Sequence, residues 1–597
     1  MTKKKLLMGN EAIARGAVEA GVKVAAAYPG TPSSEVFSTL ARFAKEYGYY
    51  AEWSVNEKVA LEVAAGAAYA GARAIVSMKQ VGLNVAADPL MTLAYIGIKG
   101  GLVIVVADDP GPHSSQNEQD TRKFAQFAKL PVFDPSTPQE AKDMTIAAFE
   151  LSEQTKLPVI LRPTTRVCHV CQDVVMEEVP KKDQAFVFEK DPSWVIFPSL
   201  AYQKHIWLNE MQEEIAAAFN YSPFNKLVLK NRTGVVTSGV SYNYVREALA
   251  QLGQEVSLLK VGTPYPLPEK PVLELLRNVD RLIVIEEQEP VVEDQIIKIA
   301  WKNKLNHSIS GKNDKLVPRE GELNVDKVRA ILAGFLGVED KTTAEQSPPP
   351  PLPARNPVLC AGCPHRASFF AAKEAVKGKP AVFAGDIGCY TLGVAPPLNA
   401  MDTCLCMGAS VTIASGLSKV ESGVKHLAFL GDSTFFHTGL AGLVNAVYNN
   451  ADITLVVLDN STTAMTGHQP HPGLPCTATG VNDKVISIAE VCRALGISLV
   501  KEVDPYNLAE AVDAVREAVD FTGPAVVIMK RECVSLVKPA KICWVTDKCV
   551  GCKVCMNKLG CPALVPAGEK VIIGATCTGC GVCRQVCPAD AIEEVAK

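Results

Sequence analysis

The stretch His426-Leu427-Ala428-Phe429-Leu430-Gly431-Asp432-Ser433 decides how the chain is read. A short apolar run, His426–Leu430, stops at a Gly-Asp-Ser turn, and a helical pattern follows. The next run, Ile453–Leu458, stops in the same way at Asp459-Asn460. Such runs are too short for helices and lack the alternation of a half-exposed strand, so they read as strands buried on both faces. Gly101–Val106, Leu157–Leu161, Arg281–Ile285 and Ala525–Met529 repeat the pattern. Strands alternating with helices predict α/β domains built on parallel, doubly wound sheets.

Working outward, 597 residues exceed what one core accommodates. A proline run, Pro348–Pro351, within Gln346–Pro357 marks a stiff linker. The strand–helix rhythm lapses near Lys181–Arg232, and the chain turns cysteine-rich beyond Lys541. The expected domains are 1–185, 233–340 and 359–540, with a connecting segment at 186–232, a linker at 341–358 and a small module at 541–597. The net charge of −4 gives no basic surplus for nucleic acid. No stretch reaches the roughly 18 apolar residues of a membrane span. Asn10, Glu11 and Arg15 interrupt any signal-like pattern after Lys3-Lys4-Lys5, so the expected location is the cytoplasm.

Eight of the 19 cysteines fall between Cys549 and Cys587. They read Cys549-x2-Cys552-x2-Cys555, then Cys561-Pro562, and again Cys577-x2-Cys580-x2-Cys583-x3-Cys587-Pro588. The second copy is the bacterial two-cluster ferredoxin run, in which the last cysteine ligates the other cluster. The expected sets are therefore Cys549, Cys552, Cys555 and Cys587 for one [4Fe–4S] cluster, and Cys561, Cys577, Cys580 and Cys583 for the second. Cys561 departs from the pattern, with five residues between it and Cys555. Zinc or disulfides are the competing reading.

In an open parallel sheet, ligands gather beyond the carboxyl ends of strands. Asp432 and Asn460 end neighbouring runs and offer oxygen ligands for one Mg²⁺, with a diphosphate met by N–H groups at the helix start. This resembles the thiamine diphosphate motif, with Ser433 in place of the third family residue. The resemblance implies that the Thr462 carbonyl completes the coordination. On its own, Gly-Asp-Ser is also a common turn. Thiamine chemistry further needs a buried carboxylic acid beside the aminopyrimidine. Glu57 opens an alanine-rich helix that resembles the family segment carrying this glutamate. Glu52 and Glu62 are rivals, and Glu57 also reads as a favourable charge at a helix N-terminus.

Several segments together resemble the thiamine-diphosphate-dependent 2-oxoacid:ferredoxin oxidoreductases. Tyr28-Pro29-Gly30-Thr31-Pro32-Ser33-Ser34-Glu35 looks like the family signature that lines the substrate and cofactor pocket, with Thr31 near the substrate. Asp109–Asp120, Gly431–His437 and Thr462–Gln469 resemble the indolepyruvate branch, and residues 233–340 resemble the transketolase C-terminal-like domain. The resemblance implies two thiamine domains, that middle domain and a two-cluster ferredoxin-like module. It also places Tyr28, Pro29, Thr31, Gly388, Gly431, Ser433 and Met465 at the cofactor, beside the residues already named. The implied reaction is oxidative decarboxylation of an aryl 2-oxoacid, with coenzyme A as co-substrate and ferredoxin as acceptor. A smaller β subunit is the implied partner, in a doubled αβ assembly.

Related enzymes hold a further cluster near thiamine. Cys360-x2-Cys363, Cys389 and Cys533 form a candidate set, with Cys404, Cys406 and Cys476 competing for the fourth place and ordinary buried thiols as the alternative. Cys168-x2-Cys171 lacks companions for a four-ligand metal site. His437, His468 and His471 lie near the expected site. His468 or His437 is a candidate for moving protons or touching substrate, and a hydrogen-bonded structural histidine is the other reading. A non-oxidative thiamine decarboxylase, a phenylglyoxylate-type or aliphatic 2-oxoacid enzyme and a catalytically silent electron carrier are the competing functions.

Overall fold

The computed structural model describes residues 4–180, 185–340, 350–353, 356–539 and 542–594. Most of the expected proline linker lies outside these residues. The chain falls into two compact units, Met1–Pro349 and Pro350–Lys597, and each is taken by itself.

The first unit holds two large sheets beside a two-stranded antiparallel pair, Lys4–Met8 with Cys171–Val175. One has six parallel strands in the spatial order Tyr50–Trp53, Val24–Ala27, Ala74–Lys79, Leu102–Ala107, Val159–Leu161, Val132–Phe133. The chain winds one way from Val24–Ala27 to Tyr50–Trp53 and the other way from Ala74–Lys79 onward. The crevice between Val24–Ala27 and Ala74–Lys79 is thus a topological switch point, where ligands bind in such sheets. The second sheet runs Ser308–Ser310, Arg281–Ile285, Thr233–Ser238, Ser257–Val261 in parallel, with Lys226–Val228 antiparallel at its edge.

Residues 186–232, where no regular pattern stands out in the sequence, contain a 22-residue helix, Pro198–Phe219. It buries Leu208, Met211, Ile215 and Phe219, a single narrow stripe at helical spacing. The rest of the helix is largely solvated, which is why its sequence reads as featureless.

A buried ionic network joins the two sheets. Arg122 pairs with Asp120 and Glu286, each at 2.7 Å, and donates to the Glu287 carbonyl. Arg162 pairs with Asp108 at 2.7 Å and Asp134 at 3.3 Å, and hydrogen-bonds Gln288. Removing one partner from a buried pair of this kind costs about 3–5 kcal/mol, because the other charge is left uncompensated.

The second unit is built on a five-stranded parallel sheet ordered Ala381–Ala384, Lys425–Gly431, Thr454–Asp459, Ala525–Lys530, Leu499–Val503. Both faces are covered: Leu427, Phe429, Val456 and Val527 enter one core, and Ala428, Leu430, Leu455 and Ile528 enter the other. This is the two-sided burial expected from the apolar runs. The chain ends in a small module of two short antiparallel pairs, Cys543–Val545 with Ile592–Glu594 and Leu564–Ala567 with Lys570–Ile573. Helices Val554–Leu559 and Val582–Val586 complete it. Among the described residues no helix is long and apolar enough to cross a membrane.

Candidate functional site

In the first unit the switch-point crevice gathers three segments. Tyr28-Pro29-Gly30-Thr31 leaves strand Val24–Ala27, and the turn is tied down by its own serines. The Gly30 N–H donates to Ser34 Oγ at 3.0 Å, and Ser33 Oγ donates to the Gly30 carbonyl at 2.8 Å. Gly30 faces Lys79, at the end of the neighbouring strand. A Cβ on Gly30 would lie 3.0 Å from Lys79 Cγ, so a larger residue would press on the lysine side chain. The Asp109–Asp120 segment lies against both. Ser114 Oγ donates to the Thr31 carbonyl at 3.3 Å, and Lys79 Nζ donates to the Ser114 carbonyl at 3.1 Å. Asp109 anchors this segment by accepting from Ser114 N, Ser115 Oγ and Thr165 Oγ1. Burial alone would push the Asp109 carboxyl up, but these donors hold it below the usual range.

Glu57 opens helix Glu57–Tyr69, with Asn56 Oδ1 capping Val59 N at 2.9 Å. Its side chain is buried, and Gly82 makes room for it. The rivals are placed otherwise. Glu52 accepts from Tyr50 and Ser54 at 2.7 Å, and Glu62 pairs with Lys58 on the exposed helix face.

In the second unit, Asp432 and Asn460 end adjacent strands at the carboxyl edge of the sheet, both buried. Asp432 starts a short helix that passes into a π-helical turn, Phe435–Gly439, a distortion frequent at functional sites. Asp432 Oδ1 accepts from Ser433 N at 2.8 Å. Oδ2 lies 3.1 Å from His471 Nε2, close enough for an ion pair yet without hydrogen-bond alignment, so among the described residues neither buried atom has a hydrogen-bond partner. Burial pushes the Asp432 carboxyl up, and His471 more than offsets it, holding the group below the usual range. Burial, and then the Asp432 charge, push neighbouring Asp459 up to about 6.

This arrangement fits a hard cation. A buried carboxylate oxygen lacks a hydrogen-bond partner, and the Asn460 amide and the Thr462 carbonyl stand on the next strand end and loop. Among the described residues no three His, Cys, Asp or Glu side chains converge as a single-ion site. The oxygen donors here are of mixed type, as Mg²⁺ sites often are.

Two glycines expected at the cofactor have a packing role. A Cβ on Gly388 would lie 2.4 Å from Tyr390 Cε1, and one on Gly431 would lie 2.7 Å from the same atom. Tyr390 OH in turn hydrogen-bonds Thr434 Oγ1 at 2.9 Å. Met465 is exposed on a turn, and Thr462 is buried. His468 Nε2 lies 3.2 Å from Ser535 Oγ, which lies 3.1 Å from Cys533 Sγ. His437 is buried beside Thr438.

His365 follows Cys363-Pro364 in the sequence. It is buried within electrostatic reach of Asp432, and neither ring nitrogen has a hydrogen-bond partner among the described residues. Burial pulls its pKa down to about 4, so it is neutral at pH 7. The Cys-x-x-Cys-Pro-His spacing was its only signal.

The cysteines sort into groups. Cys549, Cys552, Cys555 and Cys587 line one cavity. Cys561, Cys577, Cys580 and Cys583 line another, together with Cys543, which the spacing did not mark. Each set surrounds a void instead of closing on a point, which suits a cube-shaped cluster better than one zinc ion. Cys363 lies within electrostatic reach of Cys360, and Cys389 within reach of Cys533 and Cys360. Burial pushes the Cys389 thiol up to about 11, with Cys533 and Cys360 near enough to add to the shift. Cys404 and Cys406 face Asp386 instead, Cys476 is exposed, and Cys168 is buried while Cys171 is exposed.

Residues 15–218 match the family "Pyruvate flavodoxin/ferredoxin oxidoreductase, thiamine diP-bdg", and residues 228–346 match "Indolepyruvate oxidoreductase domain". Residues 386–529 match "Thiamine pyrophosphate enzyme, C-terminal TPP binding domain", and residues 570–593 match "4Fe-4S binding domain". The chain is 45% identical to a Pyrococcus horikoshii protein called indolepyruvate oxidoreductase subunit IorA, over 93% of this chain and 91% of that one. It is 43% identical to the protein of that name from Methanothermobacter thermautotrophicus, over 100% and 98%. Among solved structures, a 2-oxoglutarate:ferredoxin oxidoreductase from Magnetococcus marinus aligns with a TM-score of 0.45 at 15% identity, covering 56% of this chain and 65% of that one.

Proposed function

Because the chain belongs to the family of indolepyruvate oxidoreductase IorA subunits, a branch of the 2-oxoacid:ferredoxin oxidoreductases with thiamine and 4Fe-4S domains, we propose that it oxidatively decarboxylates aryl 2-oxoacids. The products are an acyl-coenzyme A, CO2 and two electrons, which leave one at a time through [4Fe–4S] clusters to ferredoxin. The observation that carries this reading is the union, in one compact unit, of the Asp432–Asn460 strand ends with two cysteine-ringed cavities. A non-oxidative decarboxylase has no use for such cavities.

Thiamine diphosphate, when bound, supplies the electron sink for loss of CO2. The chain's own groups serve it as follows. Asp432, Asn460 and the Thr462 carbonyl hold Mg²⁺ and through it the diphosphate. Glu57 presents its carboxyl to the aminopyrimidine N1′ from a buried helix start. Tyr28, Pro29 and Thr31 wall the pocket at the switch point. Cys549, Cys552, Cys555 and Cys587 hold one cluster, and Cys561, Cys577, Cys580 and Cys583 hold another. Cys360, Cys363, Cys389 and Cys533 hold a third, the first acceptor. His468 is placed to position Cys533 through Ser535, a role beside the proton transfer expected for it. A smaller β subunit completes the enzyme as a doubled αβ assembly.

The test is anaerobic, coenzyme-A-dependent viologen reduction by this chain with its partner subunit, over a panel of 2-oxoacids. Preference for indolepyruvate and phenylpyruvate is expected. Preference for pyruvate or 2-oxoglutarate would overturn the aryl assignment, and no reduction with any 2-oxoacid would overturn the reaction.

A further inference from the structure

Arg366 is a buried cation with no carboxylate. Its surface is 5% exposed, and among the described residues no acidic side chain forms an ion pair with it. Its hydrogen bonds go to carbonyls: Nη1 donates to Leu559 at 2.5 Å and Gly560 at 2.8 Å, and Nη2 donates to Leu359 at 2.6 Å. These bonds satisfy N–H groups without neutralising the charge. The Nε–H is buried and has no hydrogen-bond partner among the described residues.

A guanidinium removed from water without a counter-charge is strongly unfavourable. Something here must supply negative charge. The thiols of Cys561, Cys363, Cys580 and Cys360 lie within electrostatic reach of Arg366, and become negative only as thiolates. Arg366 also lines the cavity ringed by Cys561, Cys577, Cys580 and Cys583. An iron–sulfur cube in four thiolates carries net negative charge, and one-electron reduction adds one more. No bond is broken and no proton is needed in that step.

We propose that Arg366 is the internal counter-ion of the cluster held by Cys561, Cys577, Cys580 and Cys583, and that it makes this cluster a better electron acceptor than its neighbour in the module. The inference rests on the cluster reading given above. The companion cavity is lined by Lys553, a partly exposed lysine whose charge water screens. The orphan Nε–H offers the buried cluster a hydrogen bond as well, and such bonds also favour the reduced state. One guanidinium bonds to segment 359–360 and to segment 559–560, so the electron acceptor and the Cys360–Cys363 turn are locked to the same charge.

The test compares Arg366→Lys and Arg366→Gln in the holoenzyme with its partner subunit. Iron and sulfide content is measured first, and Cys577→Ser identifies which spectroscopic signal belongs to this cavity. Potentiometric titration followed by electron paramagnetic resonance then reads each cluster. For Gln, the reduced-to-oxidised ratio of this cluster at fixed potential is expected to fall about tenfold, about 59 mV for one electron. The other module cluster stays unchanged, and Lys stays near the wild type. Loss of the cluster in Gln but not in Lys also supports the counter-ion. Equal effects of Lys and Gln, loss of the cluster in both, or no shift in Gln would overturn it. A wild-type protein without cluster iron in this cavity would instead overturn the cluster reading.

Discussion

Gly82 and Glu57 are complementary: a Cβ at position 82 would sit 2.4 Å from Glu57 Oε1. Helix Gln80–Val85 thus gives up a side chain so that the carboxyl can lie inside. In an ordinary helix, Gly→Ala stabilises by about 1 kcal/mol. Here it overpacks a buried site, at a cost of about 1–3 kcal/mol. Gly82→Ala should lower turnover by about tenfold or more by displacing Glu57, with cluster iron retained. Steady-state kinetics beside iron analysis checks this, and undiminished turnover would refute the steric link.

Glu57→Gln keeps the shape and removes the acid. Turnover should fall by about 10²–10⁴-fold, the range typical of a lost general acid–base group. Thiamine diphosphate content and cluster spectra should be unchanged. Full activity would move the role to another carboxylate, and loss of bound thiamine would make Glu57 a binding group instead.

Iron analysis separates two clusters from three. Cys533→Ala should remove about a third of the iron if the Cys360 group holds a cube like those of the C-terminal module. An unaltered iron content would make that group ordinary thiols. Cys552→Ser and Cys577→Ser should each bleach a different spectral component.

Glu287 gives a pH dependence of stability. Burial raises its carboxyl from 4.5 to about 7 in the folded chain, although Leu323 N donates to it. Between those values the folded state binds the proton and the unfolded state does not, so stability is greatest at low pH and falls as pH rises from 4.5 to about 7. Glu287→Gln should keep the Leu323 bond and flatten this slope, adding up to about 3 kcal/mol at pH 8. Thermal unfolding of both proteins from pH 5 to pH 8 checks this. An equal slope in the variant would place the effect elsewhere.

The sequence revealed what is local. The run His426–Leu430 is a buried strand within Lys425–Gly431, and the adjacent cysteines of each run share a cavity because one loop presents them. It hid what folding brings together. Cys543 precedes the runs and reaches its cavity from strand Cys543–Val545, which pairs with Ile592–Glu594 at the far end of the module. The need for glycine at 388 and 431 comes from one ring, Tyr390, that neither position announces. The charge on Arg366 looks unexceptional in a Cys-Pro-His-Arg string, and only burial makes it unusual.

The salt-bridged seam of the first unit bears on how the chain can be dissected. A cut near residue 220 would send Arg122 and Arg162 with one fragment and Glu286 and Gln288 with the other. Both pieces would then carry a raw, ionised surface that neither was built to expose to water. Residues 4–340 therefore form the smallest module that a domain-swapping or truncation experiment can treat as a self-sufficient part.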